Sequence, residues 1–506
     1  AGIVSATTLY GDGSNLTGVA MSIAPISYQP SVSAVDQDIA VSIGITFTDL
    51  IKAGSGNVTL RLVGAAGTVV ENFGVGNSVT INQNRISFTP TASLEADTVY
   101  HLSYPSGAFT NLGGDVSYVG TAYTFDTRSL QPGMFIWGYN GYGGLGQNDN
   151  VSYGSVSSPI QIPGATWSVL GKSTTTGGTN AKAAIKTDGT LWVWGSDAEA
   201  GELGLNDRTR ISSPTQVPGT TWNEVFTSDN GAMASKTNGT LWGWGNNGNG
   251  ELGVNDNTPR SSPTQIPGTT WTTKFAAGAQ VRYAIKSDNT LWSWGSNAYG
   301  QGGWSGSPAA TPDNGKYSSP VQIPGTNWAS ISASGSADGS RFFAMATKSD
   351  NTLWAWGGNG KGELGQNEAA NNDKKARSSP TQIPGTDWAT GMDKIYCGQA
   401  MAYAIKTNGE LWAWGQNPNG HLGQNNQTQY SSPVQVPGTT WSKTIGRVCL
   451  KTDNTLWAWG QNQYGVVGNN TGGTYYSSPV QIPGTEWTDL GGTGEGAGVP
   501  LAIKNV

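Results

Sequence analysis

The chain has 506 residues, among them 74 Gly and 21 Trp, with 12% charged side chains and a formal net charge of -6. That length exceeds one ordinary core, and glycine and aromatics in place of Lys and Glu point to strands and tight turns. The acidic balance argues against a nucleic-acid partner, no run approaches the roughly 18 apolar residues that span a bilayer, and two cysteines argue against a disulfide framework. The sequence opens at Ala1 without a signal-peptide pattern, so we expect a processed form or part of a longer product.

Residues 1–24 are polar and Gly-rich, with the run Ala6-Thr7-Thr8-Leu9-Tyr10-Gly11-Asp12-Gly13-Ser14-Asn15-Leu16. Such a segment buries too little to fold alone. It is similar to segments of marine phage fibre and appendage proteins, which implies attachment to a virion or pairing with symmetry mates. Residues 25–128 alternate apolar and polar at Ile39–Thr48, Asn57–Val63, Val79–Asn82, Arg85–Thr89, Thr98–Tyr104 and Thr121–Thr127. Six or seven short strands in about 100 residues predict a β-sandwich. The runs Gly54-Ser55-Gly56-Asn57-Val58-Thr59-Leu60 and Tyr123-Thr124-Phe125-Asp126-Thr127 resemble the bacterial Ig-like domains of S-layer and other surface proteins, which implies a spacer. A linker over 129–133 follows.

From residue 134 to 506 the sequence is a repeat. Leu-Trp-x-Trp-Gly occurs at 191–195, 241–245, 291–295, 353–357, 411–415 and 456–460, and Phe135-Ile136-Trp137-Gly138 is a degenerate seventh copy. Ser-Ser-Pro and Pro-Gly-x-x-Trp also occur seven times, at a spacing of about 54 residues. Each repeat predicts four short strands. We call them the tryptophan strand (Leu-Trp-x-Trp), the proline strand (Ser-Ser-Pro-x-Gln), the post-turn strand after Pro-Gly-x-x-Trp, and the lysine strand (Ala-Ile-Lys). A hairpin such as Asp188-Gly189 leads to the next tryptophan strand. The array opens on a tryptophan strand and finishes on the lysine strand Leu501-Ala502-Ile503-Lys504, so its two ends supply each other's missing neighbours. The fold class is therefore all-β: an Ig-like sandwich, then a seven-bladed β-propeller closed by the terminal strands of the array. Cys449 stands where sister repeats place Ala and reads as a small buried residue.

The run Trp244-Gly245-Asn246-Asn247-Gly248-Asn249-Gly250-Glu251-Leu252-Gly253 resembles the regulator of chromosome condensation repeat family. The resemblance implies a seven-bladed propeller and a binding role. Members include an exchange factor for a small GTPase and bacterial secreted inhibitors of β-lactamase. No counterpart of the exchange factor's inserted wedge is apparent in this sequence.

Strand parity puts the Pro-Gly-x-x and Asp/Asn-Gly/Asn turns on one face and the connections of varied length on the other. Examples of the latter are Tyr139–Ser157, Asn297–Ser318, Gly358–Arg377 and Ala329–Phe343. Varied loops on a rigid scaffold carry recognition. The candidate contacts on that face are Trp304, Tyr139, Tyr142, Tyr153, Tyr299 and Tyr317. Trp304 is the propeller Trp outside the repeat pattern, either an exposed stacking platform or a ring folded back on its own loop. Arg208, Arg210, Arg260 and Arg377 precede Ser-Ser-Pro and read as supports of the loop base. Lys186, Lys236, Lys286, Lys348, Lys406, Lys451 and Lys504 share one repeat position and read as a solvated ring whose stems cover the hairpins.

The two histidines, His101 and His421, fall in different domains, and no Gly-x-Ser-x-Gly, Walker or His-Glu-x-x-His motif occurs. We expect no catalytic residues, metal or cofactor. The order of polar segment, spacer and propeller predicts a non-enzymatic phage fibre protein located in the virion. Its partners would be a host-surface receptor, glycan or protein, and other virion proteins. Self-association would run through the N-terminal segment, without nucleic acid or membrane insertion. The alternatives are a bacterial surface or secreted adhesin, a protein-binding regulator or inhibitor, and a glycan hydrolase.

Overall fold

The structure is a computed structural model. It describes residues 24–505 apart from 38–39, 63–65, 115, 119–121, 128–131, 150–153, 165, 174–180, 198–199, 229–230, 305–314, 335–341, 369–375 and 494–497. The predicted attachment segment lies almost wholly outside the described residues. The chain divides into two compact units, Ala1–Leu130 and Gln131–Val506.

The first unit is a sandwich of two main sheets. One runs Pro25–Gln29, Ile43–Phe47, Arg85–Phe88, Thr80–Asn82; the other runs Ala34–Gln37, Tyr123–Thr127, Val99–Ser103, Asn57–Leu62, Val69–Gly74. Alternation puts Ile43, Ile45, Phe47, Val58, Leu60 and Phe125 inside. Five strands went unread in the sequence, among them Pro25–Gln29 and Val69–Gly74. They lie at sheet edges or in a two-stranded ribbon, where one-sided packing leaves little alternation.

The second unit holds seven four-stranded blades among the described residues. From the axis to the rim, each runs post-turn, lysine, tryptophan and proline strand. In blade 2 these are Trp222–Ser228, Gly231–Lys236, Leu241–Gly245 and Arg260–Ile266. Blades 1 and 3 to 6 use the repeats that follow Trp167, Trp271, Trp328, Trp388 and Trp441. Blade 7 joins both ends of the array. Trp487–Gly492 and Pro500–Asn505 pair onward to Pro132–Tyr139 and Ser155–Gln161, with Met134 opposite Ile503 and Ile136 opposite Leu501. The predicted closure is thus present, and no blade keeps a missing strand.

The tryptophans explain why the blades stay together. The second Trp of each Leu-Trp-x-Trp is fully buried and donates its indole N–H to a carbonyl of the preceding blade's loop. Trp244 reaches Glu202 O and Trp294 reaches Glu251 O, both at 2.8 Å. The ring closes the same way, with Trp137 donating to Val466 O. On the short-turn face, Trp222, Trp271, Trp328, Trp388, Trp441 and Trp487 donate their backbone N–H to the hairpin of the preceding blade. Along the axis Phe226, Ile331, Met392, Ile395, Tyr396 and Ile445 converge and leave a cavity of about 20 Å³, room for about one water.

Candidate functional site

The varied connections are built on one buried residue per blade. The Asn of Trp-Gly-x-Asn accepts, at Oδ1, the backbone N–H five residues on, as Asn247 does from Leu252 and Asn417 from Leu422. Its amide then donates into the far half of the loop, from Asn247 to Asp256 O and Thr258 O. A second Asn, in the left-handed region where Asn is well tolerated, donates its backbone N–H to the next blade, as Asn206 does to Ser261 O. Blade 1 carries Asp197 in place of the first Asn. Burial, followed by the neighbouring Glu202 carboxyl, pushes the Asp197 carboxyl well above the usual range.

The expected loop aromatics occupy separate places. Trp304 is half-buried, with its ring 4.5 Å from Tyr317 and its indole N–H directed at Val321 O. Of the two arrangements open for it, this is the ring folded back on its own loop. Tyr299, in the same connection, is 42% exposed and lies 6.3 Å from Phe342. Tyr139 is buried against Tyr464, and Tyr142 lies under the Arg210 guanidinium at 4.0 Å. Tyr153 lies outside the described residues. Arginines do brace the loop bases: Arg260 pairs with Asp256 at 2.7 Å and Arg377 with Glu368 at 2.5 Å.

The lysine ring differs from the solvated ring expected. Each ammonium sits over indoles, Lys286 at 3.9 Å from Trp292 and 4.9 Å from Trp271, and likewise in the other blades. Lys504 has only Trp487, because Phe135 fills the first Trp position there. Indole faces attract a cation, so these lysines hold the Trp of the post-turn strand and the first Trp of the tryptophan strand together. The first Trp of each motif (Trp192, Trp242, Trp292, Trp354, Trp412 and Trp457) remains half-buried, and Trp412 walls a groove between two neighbouring blades. Sequence reading assigned these rings wholly to the scaffold. The signal available was their place one residue from the short hairpin, close to the rim.

His101 belongs to the first unit and His421 to the second. His421 is buried, and desolvation together with the nearby Arg447 charge lowers it to about 2. Among the described residues no group of three His, Cys, Asp or Glu is arranged to hold a metal ion. Cys397 and Cys449 are buried and unbridged.

Residues 131–449 match the RCC1-like domain model, and residues 22–127 match a bacterial Ig-like domain. The mitochondrial RCC1 domain-containing protein RUG3 of Arabidopsis thaliana is 29% identical over 104 residues, which is 21% of this chain and 22% of that protein. Human Protein RCC2 is 32% identical over 94 residues, 18% of this chain and 17% of that protein. The matched segments therefore span about a fifth of these relatives. Among solved structures, Prp20p of Saccharomyces cerevisiae superposes with a TM-score of 0.61 at 17% identity, over 74% of this chain and 92% of its own. Human WBSCR16 gives 0.60 at 16% identity, over 74% and 99%. At such identities the likeness establishes the fold. The chain belongs to the RCC1-like domain family, with a bacterial Ig-like domain ahead of its propeller in the sequence.

Proposed function

We propose that this protein is a non-enzymatic recognition protein of a phage particle, whose propeller binds the host surface through its varied-loop face. The contrast between the two faces carries this reading. Four residues separate Lys186 from Leu191, Lys236 from Leu241 and Lys286 from Leu291 on the short-turn face. On the other face, two residues separate Ser228 from Gly231, eight separate Ser173 from Lys182, and nine separate Ala333 from Phe343. A scaffold held constant on one side and varied on the other is the arrangement expected of a binding head. An Ig-like spacer ahead of it in the sequence supports display. The same spacer, of a bacterial type, also favours a second reading as a bacterial surface adhesin.

The test is attachment of the labelled chain to a panel of bacterial cells. Replacing the blade 3 connection 297–315 by the blade 2 connection 247–259 should weaken attachment at least tenfold, whereas exchanging short hairpins should leave it unchanged. The opposite pattern would overturn the face assignment. Co-purification with particles rather than with cell envelopes separates the two readings.

A further inference from the structure

We propose that the groove between blades 4 and 5 binds one neutral hexose unit of a surface polysaccharide, with the Trp412 indole as its platform. This rests on the reading of the propeller as a recognition head and names its ligand class and site. The groove has a volume of about 350 Å³ and is walled by Trp388, Trp412, Pro433, Asn367, Ser432 and Lys406. That is the small end of the range for ligand clefts, roughly 300–1,000 Å³, in which an apolar lining is joined by a few placed polar groups.

Two features bring polar groups to this groove, an untied Ser/Asn pair that two sister grooves share and one departure from the repeat. In three sister grooves the Ser hydroxyl is tied to the facing Asn: Ser158 to Asn470 at 3.0 Å, Ser262 to Asn206 at 3.1 Å and Ser319 to Asn255 at 3.2 Å. Among the described residues the Ser432 hydroxyl and the Asn367 amide make no such bond. Among the described residues the pairs Asn148 with Ser213 and Asn425 with Ser478 show no such bond either, so the untied pair alone does not single out this groove.

Glu410 does. In five blades the first Trp donates its indole N–H to a Thr hydroxyl: Thr190, Thr240, Thr290, Thr352 or Thr455. In blade 5 the acceptor is the Glu410 carboxylate, 3.2 Å from the Trp412 nitrogen, which leaves a second oxygen at the edge of the ring.

A pyranose has an apolar C–H face that suits a flat aromatic ring, and a rim of hydroxyls that needs carboxylate, amide and hydroxyl partners. The groove walls supply the ring, the Asn367 amide and the Ser432 hydroxyl, with the Lys406 ammonium 4.6 Å from the centre of the Trp412 ring; the Glu410 carboxylate stands beside them, at the indole N–H edge of that ring. Lys406 is already paired with Asp387 at 3.0 Å, and Glu410 adds a second carboxylate, so an anionic sugar is disfavoured. A proline-rich peptide would need the indole N–H for a carbonyl, and Glu410 holds it.

The experiment titrates the full chain with mannohexaose, galactohexaose and maltohexaose, with sialyllactose and a decaproline peptide in parallel, by calorimetry and tryptophan fluorescence. At least one neutral hexaose should bind. Trp412→Ala and Glu410→Thr should each weaken it at least tenfold, while Trp457→Ala in blade 6 leaves it unchanged. Glu410→Thr restores the residue of the sister blades, so it keeps the fold even where Trp412→Ala does not. Three outcomes would overturn the proposal: no neutral hexaose bound, binding indifferent to Glu410→Thr, or preference for sialyllactose or the peptide. Cell attachment is scored separately. Its absence in the wild type overturns the recognition-head reading, whereas attachment without hexaose binding overturns the groove alone.

Discussion

His421 stands where sister blades place Glu251, Gln301 and Glu363, whose side chains accept a backbone N–H two residues back. Among the described residues, neither imidazole nitrogen of His421 has a hydrogen-bond partner. Burial first, then the Arg447 charge, holds its pKa at about 2, against 6.5 for a free imidazole. The unfolded chain therefore takes up a proton below about pH 6.5 that the folded chain refuses. Stability falls as pH drops from about 6.5 toward 2, with this residue contributing to the fall across that window. His421→Gln supplies the acceptor that Gln301 uses, so it should flatten that acid limb and raise stability at pH 7 by roughly 0.5–1.5 kcal/mol. Urea midpoints at pH 7 and pH 4 read both effects. An unchanged difference between the two pH values would contradict the assignment.

At the scale of the strand, closure rests on one pairing, Pro132–Tyr139 with Pro500–Asn505. Deleting residues 500–506 leaves unpaired edges on two strands and opens the Trp-rich blade faces to water. The expected loss is comparable with the whole stability of a domain, about 5–15 kcal/mol. Trypsin should then degrade the propeller while sparing the Ig-like unit, and a protected fragment beginning near Gln131 would refute this.

The sequence made the closure legible because its markers recur seven times and its two ends differ by which strand they lack. The radial order of strands was not legible. The innermost strands vary most, and in blade 5 the insertion around Met392 moves the inner strand to Ile395–Cys397 and leaves Trp388 in an isolated bridge. Nor could the sequence show that Trp304 turns onto Tyr317, or that lysine heads lodge between indoles, since each contact depends on how neighbouring segments pack. The rim groove was missed for a related reason. Trp412 looks like five sister residues, and only Glu410, two positions earlier, departs from the pattern.

At the scale of the molecule, the two units have separate cores: Ile45 belongs to the sandwich, whereas Trp294 and Leu291 belong to the propeller. Ile45→Ala removes fully buried volume and should cost about 2–5 kcal/mol in the first unit. Calorimetry should show two transitions, with the substitution lowering one by several degrees and leaving the other in place. A single transition that shifts as a whole would show that the units unfold together. The propeller's stability is spread differently. Each blade carries its own Trp contacts to the preceding one, so the interfaces that hold the ring are repeated around it.

The closing blade also sets a delay during synthesis. Trp137 and its acceptor Val466 are 329 residues apart. At about 5–20 residues per second, the first tryptophan strand waits roughly 15–65 s after it emerges before that acceptor exists, and longer for the pairing strand Pro500–Asn505. For that interval a strand of the seventh blade is a bare edge able to accept the late strands of any nearby copy. Nascent chains crowded on one message would then link as exchanged pairs, and widely spaced ribosomes would favour rings that close on themselves.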